Sequence, residues 1–176
     1  PGSLYLYQGE ELGLPEVLDL PADRRQDPIF VRTEGRELGR DGCRVPLPWT
    51  TDADHAFGFS PTDAAPWLPQ PEGWGEYALS VQHDDDTSMF ELYRTVLALR
   101  KQIEPTAPLE WLLANSDHVV AFRRGDLVVA LNVSGHEVML PTSLVHGAQV
   151  VASSAAGHTD ARVLPHDACL WLRTAS

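Results

Sequence analysis

Nine prolines between residues 15 and 71 prevent any long helix or central strand over that part of the chain. Pro15, Pro21, Pro28, Pro46, Pro48, Pro61, Pro66, Pro69 and Pro71 each lack a backbone N–H and have a fixed φ, so regular ladders do not propagate through them. A stretch of this length without periodicity, inside a compact domain, is either a functional loop or disordered. Trp49, Trp67 and Trp74 decide for an ordered loop, because disordered segments are poor in aromatics. Ahead of it stands one short apolar-aromatic run, Ser3-Leu4-Tyr5-Leu6-Tyr7, whose pattern suits a strand buried on both faces. Such a strand needs a neighbour on each side, and none precedes it here. With Pro1 in place of an initiator methionine, the expectation is a chain cut from something larger.

After about residue 80 the pattern becomes regular. Asp85 or Ser88 can cap a helix, and Ser88-Met89-Phe90-Glu91 has the spacing of a capping box. Met89, Leu92, Tyr93, Val96 and Leu99 then share one face of that helix. Past Pro105 the spacing predicts seven short strands: Leu109–Ala114, His118–Arg123, Leu127–Asn132, Glu137–Leu140, Gln149–Ala152, Arg162–Leu164 and Ala168–Leu172. Turn formers separate them at Asn115-Ser116-Asp117, Gly125-Asp126, Ser134-Gly135 and Pro165-His166-Asp167. Short strands at this density predict a small antiparallel sandwich. Asn132-Val133-Ser134 matches a glycosylation sequon and is read as a strand-end turn.

A formal charge of −12 argues against nucleic acid, whose phosphates need a basic face, and suits solubility. No run approaches the roughly 18 apolar residues of a spanning helix, and nothing resembles a signal peptide, so no membrane is expected. Cys43 and Cys169 have no metal-type spacing. They are read as two free thiols in a reducing cytoplasm, with a disulfide left open.

Candidate chemistry is concentrated in the loop. Arg40 and Arg44, held by Gly39, Gly42 and Pro46, can present planar, permanently charged forks to carboxylates or sugar hydroxyls. The duller reading is a surface salt bridge of little worth. Gln8-Gly9-Glu10-Glu11 follows the candidate strand; its paired carboxylates are either a solvated charge cluster or serve loop anchoring and site electrostatics, not proton transfer. Phe57, Phe59, Trp49 and Trp67 can stack on a sugar or staple the loop down, the second being commoner. His83-Asp84-Asp85-Asp86 looks superficially like a metal site, but negative charge ahead of a helix is favourable in itself. No metal or cofactor is assigned.

The run from Pro1 to Gly13 resembles the eighth barrel strand and following loop of α-amylase-family α-glucosidases, including oligo-1,6-glucosidase-like enzymes. Gly39-Arg40-Asp41-Gly42-Cys43-Arg44-Val45-Pro46-Leu47-Pro48-Trp49 is similar to the signature of that loop, as are Phe57-Gly58-Phe59, Pro66-Trp67 and Ser88 to Arg94. The resemblance implies a remnant of a (β/α)8 TIM barrel over residues 1–104, namely its last strand, loop and helix. An antiparallel β-sandwich would follow over 105–176. It implies that Arg44, with Arg40 beside it, binds substrate, Arg44 meeting the non-reducing glucose and so favouring exo-acting cleavage. Gln8, Glu10, Glu11, Phe57 and Phe59 would support the site loop. Val45-Pro46-Leu47 departs from the family's usual Thr-Pro-Met.

Retaining glycosidases place two carboxyl groups about 5–5.5 Å apart. In the resembling family these follow the fourth and fifth strands, with a third acid after the seventh, so no residue here is assigned a catalytic role. The expectation is the C-terminal part of a retaining α-glucosidase, inactive alone. Its partners would be an α-glucoside or small oligosaccharide and the N-terminal barrel portion of the same enzyme. A carbohydrate-binding or structural β-sandwich module is the rival, and a sucrose isomerase or trehalose synthase the alternative within the class.

Overall fold

The computed structural model describes residues 2–113 and 116–174. The last residue of the expected Leu109–Ala114 strand and the Asn115 turn position lie outside the described residues. Two compact units result, Tyr5–Glu91 and a second made of Pro1–Leu4 with Leu92–Ser176.

The Tyr5–Glu91 unit is an ordered loop, as the tryptophans imply. It is built from 3-10 turns at Glu10–Leu12, Ala22–Arg24, Asp41–Cys43, Ala53–Gly58 and Glu72–Tyr77, with short helices α1 (Pro28–Arg32) and α2 (Leu79–Gln82). Prolines begin rather than break these elements. Pro28 opens α1 and Asp27 Oδ1 caps it, accepting from Ile29 N at 3.0 Å. The unit has its own core of Val17, Leu20, Val45, Phe57, Leu68 and Trp74. Leu68 is fully buried, worth roughly 1.5–3 kcal/mol on its own. Trp74 Nε1 donates to the Pro46 carbonyl at 2.9 Å. Phe57 enters this core from a left-handed backbone (φ 53°), as does its neighbour Ala56 (φ 51°). Such conformations cost about 1–3 kcal/mol each for non-glycine residues. The turn is held by Phe57 N donating to Asp52 O at 2.8 Å, and by Trp49 N and Thr50 N both donating to Phe57 O.

The expected strand over Ser3–Tyr7 is not formed. Residues 2–7 carry no ladder, and Leu4, Tyr5, Leu6 and Tyr7 are all exposed. A strand has no backbone partners of its own, so an apolar run without a neighbouring strand gains nothing by being one.

Helix α3 (Met89–Gln102) begins where the capping pattern places it. Ser88 Oγ accepts from Glu91 N at 3.2 Å. The return half of the box differs: Glu91 Oε1 takes the Asp84 N–H at 3.2 Å, while Ser88 N donates to the Asp85 carbonyl. Gln82 completes the cap, its Oε1 accepting from Phe90 N at 3.1 Å and its Nε2 donating to the Leu12 and Tyr77 carbonyls. On the expected apolar face Leu92, Tyr93, Val96 and Leu99 are half-buried and Met89 is exposed.

All seven expected strands appear: β1 (Glu110–Trp111), β2 (Val119–Arg124), β3 (Leu127–Asn132), β4 (Val138–Met139), β5 (Gln149–Ser153), β6 (Val163–Leu164) and β7 (Cys169–Arg173), with a helical turn α4 (Thr142–Val145) before β5. They form a five-stranded antiparallel sheet, ordered β1-β2-β3-β7-β5, and a separate β4–β6 pair. β2 and β3 join at Gly125, whose φ of 63° allows the tight turn. Val119 and Ala121 of β2, Val128 and Ala130 of β3 and Leu170 and Leu172 of β7 alternate into one core, with Leu140, Leu144, Val145 and Leu164.

Asn132 ends β3 fully buried. Its Nδ2 donates to the carbonyls of His136, Leu164 and Pro165, and its Oδ1 accepts from Ser134 N and Ser134 Oγ. The sequon is therefore an internal brace of the turn. Both cysteines are free thiols. Among the described residues no helix is long and apolar enough to cross a membrane.

Candidate functional site

The chemistry of the Tyr5–Glu91 unit converges on Arg44. The 3-10 turn Asp41–Cys43 puts Asp41 three residues before it, and Arg44 Nη2 donates to Asp41 Oδ1 at 2.6 Å. The same nitrogen donates to Asp27 Oδ2 at 3.1 Å, and Nε donates to the Arg40 carbonyl at 3.2 Å. Nη1 makes no hydrogen bond among the described residues. The side chain is 30% exposed, whereas those of Asp27 and Asp41 are 6% and 0% exposed. Trp67 lies beside it, its ring centroid 5.9 Å from Cζ. For Arg44 the ion pair is therefore not a surface one, because both acids are buried. Arg44 is the cation of two buried carboxylates, and removing it would strand them.

Each carboxylate is itself held by backbone. Asp41 Oδ2 accepts from Gln26 N at 2.8 Å and Asp27 N at 2.9 Å. Asp27 accepts from Ile29 N and from Arg40 N. Those two N–H groups, followed by the Arg44 and Arg40 cations, hold the Asp27 carboxyl below the usual carboxylate range against the opposing effect of burial. The loop closes tightly enough that two glycines are steric requirements. A Cβ on Gly39 would lie 2.6 Å from Asp27 Cβ, and one on Gly42 would lie 2.5 Å from the Val17 carbonyl oxygen.

The other sequence candidates fall in different places. The Arg40 side chain is 79% exposed and its Nε is 3.8 Å from Asp27 Oδ2, so its backbone contributes more than its guanidinium. Gln8 and Glu10 line a cleft of ≈ 180 Å³ together with Gly42 and Cys43, which brings them beside the arginine turn. Glu11 Oε2 accepts from Gly9 N at 2.9 Å and so anchors the turn after Gln8. Phe57 is a core staple and Phe59 is half exposed. His83, Asp84 and Glu91 bring possible ligand atoms within 4.8 Å of one another at the surface. Glu91 Oε1 already serves the helix cap there. Sequence reasoning missed Asp27 and Asp41 as the partners of Arg44. Asp41 stood at helical-turn spacing before the arginine, and Asp27 stood before a proline as an N-cap.

Residues 1–107 match the model of the α-amylase catalytic domain. The chain belongs to the α-amylase family. Among its relatives is the probable alpha-glucosidase of Rhizobium meliloti (strain 1021), 35% identical over 136 residues, covering 77% of this chain and 22% of that protein. Among solved structures, the alpha-glucosyl transfer enzyme XgtA is 31% identical with a TM-score of 0.70, covering 96% of this chain and 32% of that one. A MutB mutant in complex with glucose has a TM-score of 0.71 at 19% identity, covering 94% and 34%, and shows shared fold alone. The chain thus spans no more than about a third of these α-amylase-family proteins.

Proposed function

We propose that this chain is the C-terminal part of a retaining, exo-acting α-glucosidase, with Arg44 as its contact to the terminal glucose. The observation that carries the reading is the state of the guanidinium. Two of its edges are committed to Asp27, Asp41 and the Arg40 carbonyl, which leaves Nη1 of a pre-oriented fork without a hydrogen-bond partner among the described residues. A donor held this rigidly can bond a sugar hydroxyl without paying the entropy of ordering a free arginine. Trp67 beside it offers an apolar ring to a sugar face. Hydrolysis is supported by the likeness to α-glucosidases, and transfer of the glucosyl group by the likeness to XgtA. In either case the reacting carboxyl groups belong to the barrel portion, and the chain alone releases no glucose. The second unit is read as a sandwich in which the β4–β6 pair and α4 close one face of the five-stranded sheet, since Leu140, Leu144, Val145 and Leu164 share its core. The free thiols suit a reducing compartment, the cytoplasm.

The deciding experiment is Arg44→Lys in the catalytically complete enzyme. Lysine keeps one cation for the buried acids but loses the fork. A lost charge-assisted hydrogen bond costs on the order of 1.5–3 kcal/mol, so kcat/KM on a chromogenic α-glucoside should fall about ten- to a hundredfold. Unchanged kinetics in a variant with native circular dichroism would make Arg44 a structural residue only. Turnover by the rigorously purified chain would refute the placement of the chemistry.

A further inference from the structure

Arg25 is a buried cation with no carboxylate among its partners in the described residues. It is 7% exposed. Its Nε donates to the Leu20 carbonyl at 3.2 Å, Nη1 to Leu38 at 3.3 Å and Nη2 to Leu18 at 2.6 Å, with the Phe30 ring 5.6 Å from Cζ. A charge buried without a counter-charge is an expensive way to stabilise a fold, so what the fork holds together has to explain it. All three carbonyls belong to segments that build the Arg44 site. Leu18 and Leu20 flank the stretch after Val17, whose N–H donates to Gly42 O at 3.1 Å. Leu38 precedes Gly39, which packs on Asp27 without room for a Cβ. The residues after Arg25 are Gln26 and Asp27, whose N–H groups both bond Asp41. One planar fork therefore ties residues 18–20, 25–27 and 38 into a single frame. An ammonium has donors enough but only one compact centre, and does not reproduce the spread of the planar fork across carbonyls of two segments.

We propose that Arg25 is the positioning residue of this site, acting through Asp27 and Asp41 to hold the Arg44 guanidinium in place. That Arg44 then meets a sugar rests on the function proposed above; the positioning itself does not.

Two measurements test the assignment. In the chain as it stands, the Asp27 carboxyl is followed by 13C NMR through an acid titration, before and after Arg25→Lys. Loss of the frame should move its midpoint upward, toward the ordinary aspartate range. The Asp160 midpoint, set by Arg162 beside it in the second unit, should stay put. An unmoved Asp27 in a folded variant overturns the proposal. Arg25→Gln, which keeps a neutral donor, serves if the lysine variant does not fold. Failure of both to fold would make Arg25 a fold-stability residue and overturn the assignment equally. In the complete enzyme, Arg25→Lys should lower kcat/KM about tenfold when Arg44 is present and less than twofold in an Arg44→Lys background. Equal losses in both backgrounds mean that Arg25 does not act through Arg44. Should Arg44→Lys alone leave kinetics unchanged, the substrate reading fails while the Asp27 titration still decides the role of Arg25.

Discussion

Replacing Asn132 by aspartate is nearly isosteric and removes one property only, the two donor hydrogens of Nδ2. In the native chain those hydrogens serve the carbonyls of His136 at 2.8 Å, Pro165 at 3.0 Å and Leu164 at 3.3 Å. The acceptor side, toward Ser134 N and Ser134 Oγ, would survive. Each buried hydrogen bond lost with its partner left unsatisfied costs about 1–3 kcal/mol, so Asn132→Asp should cost on the order of 2–6 kcal/mol at pH 7. The new carboxylate would face carbonyl oxygens in a site with no solvent access, which raises its folded pKa above the unfolded value of about 3.9. The folded state then binds the proton more tightly than the unfolded one. Stability relative to wild type is greatest in acid and falls as pH rises through the unfolded pKa toward the folded one. Because the chain has two units, a single denaturation curve does not isolate this one. Hydrogen exchange of the β3 and β7 amides does, and protection there should drop about thirtyfold or more at pH 7, with a smaller deficit near pH 4. Unchanged protection at pH 7, or a deficit that grows in acid, would refute the description of Asn132 as a buried donor.

Gly42→Ala would drive a Cβ to within 2.5 Å of the Val17 carbonyl oxygen, a backbone atom held in place by Val17 N donating to Gly42 O. The expected loss is about 1–3 kcal/mol, read as faster exchange of the Val17 amide, and wild-type protection would contradict the close approach. Asp27, whose folded pKa is depressed by the Ile29 and Arg40 N–H groups, contributes stability that is present above about pH 3.9 and lost as pH falls through the folded pKa. Fluorescence from Trp74 in the same unit should therefore show the loop loosening below about pH 4. Asp27→Asn should flatten that dependence; an identical acid transition in the variant would assign it elsewhere.

The second half of the chain was legible because its signals are local. β3 runs over Leu127–Asn132, the apolar run bounded by turn formers in the sequence, and α3 starts where Ser88 can cap it. Strand periodicity, turn formers and N-caps act over two to four residues, so they can be read without knowing what lies across the sheet. The first half yielded less. That it is an ordered loop, and that Arg44 stands at a turn made by Gly42, was readable from residue types. That Arg44 is the partner of Asp27, 17 residues earlier, was not. Nor was the burial of Arg25 among three carbonyls, or that Asn132, read as part of a strand-end turn, braces that turn from inside. Ser3–Tyr7 shows the opposite limit, since its strand pattern is present and its strand is not. In each of these cases the outcome depends on which groups are met from other segments of the chain. Residue types and spacing establish what a guanidinium or an amide can bond. Only chain closure, with burial removing water as the competing partner, decides what it does bond.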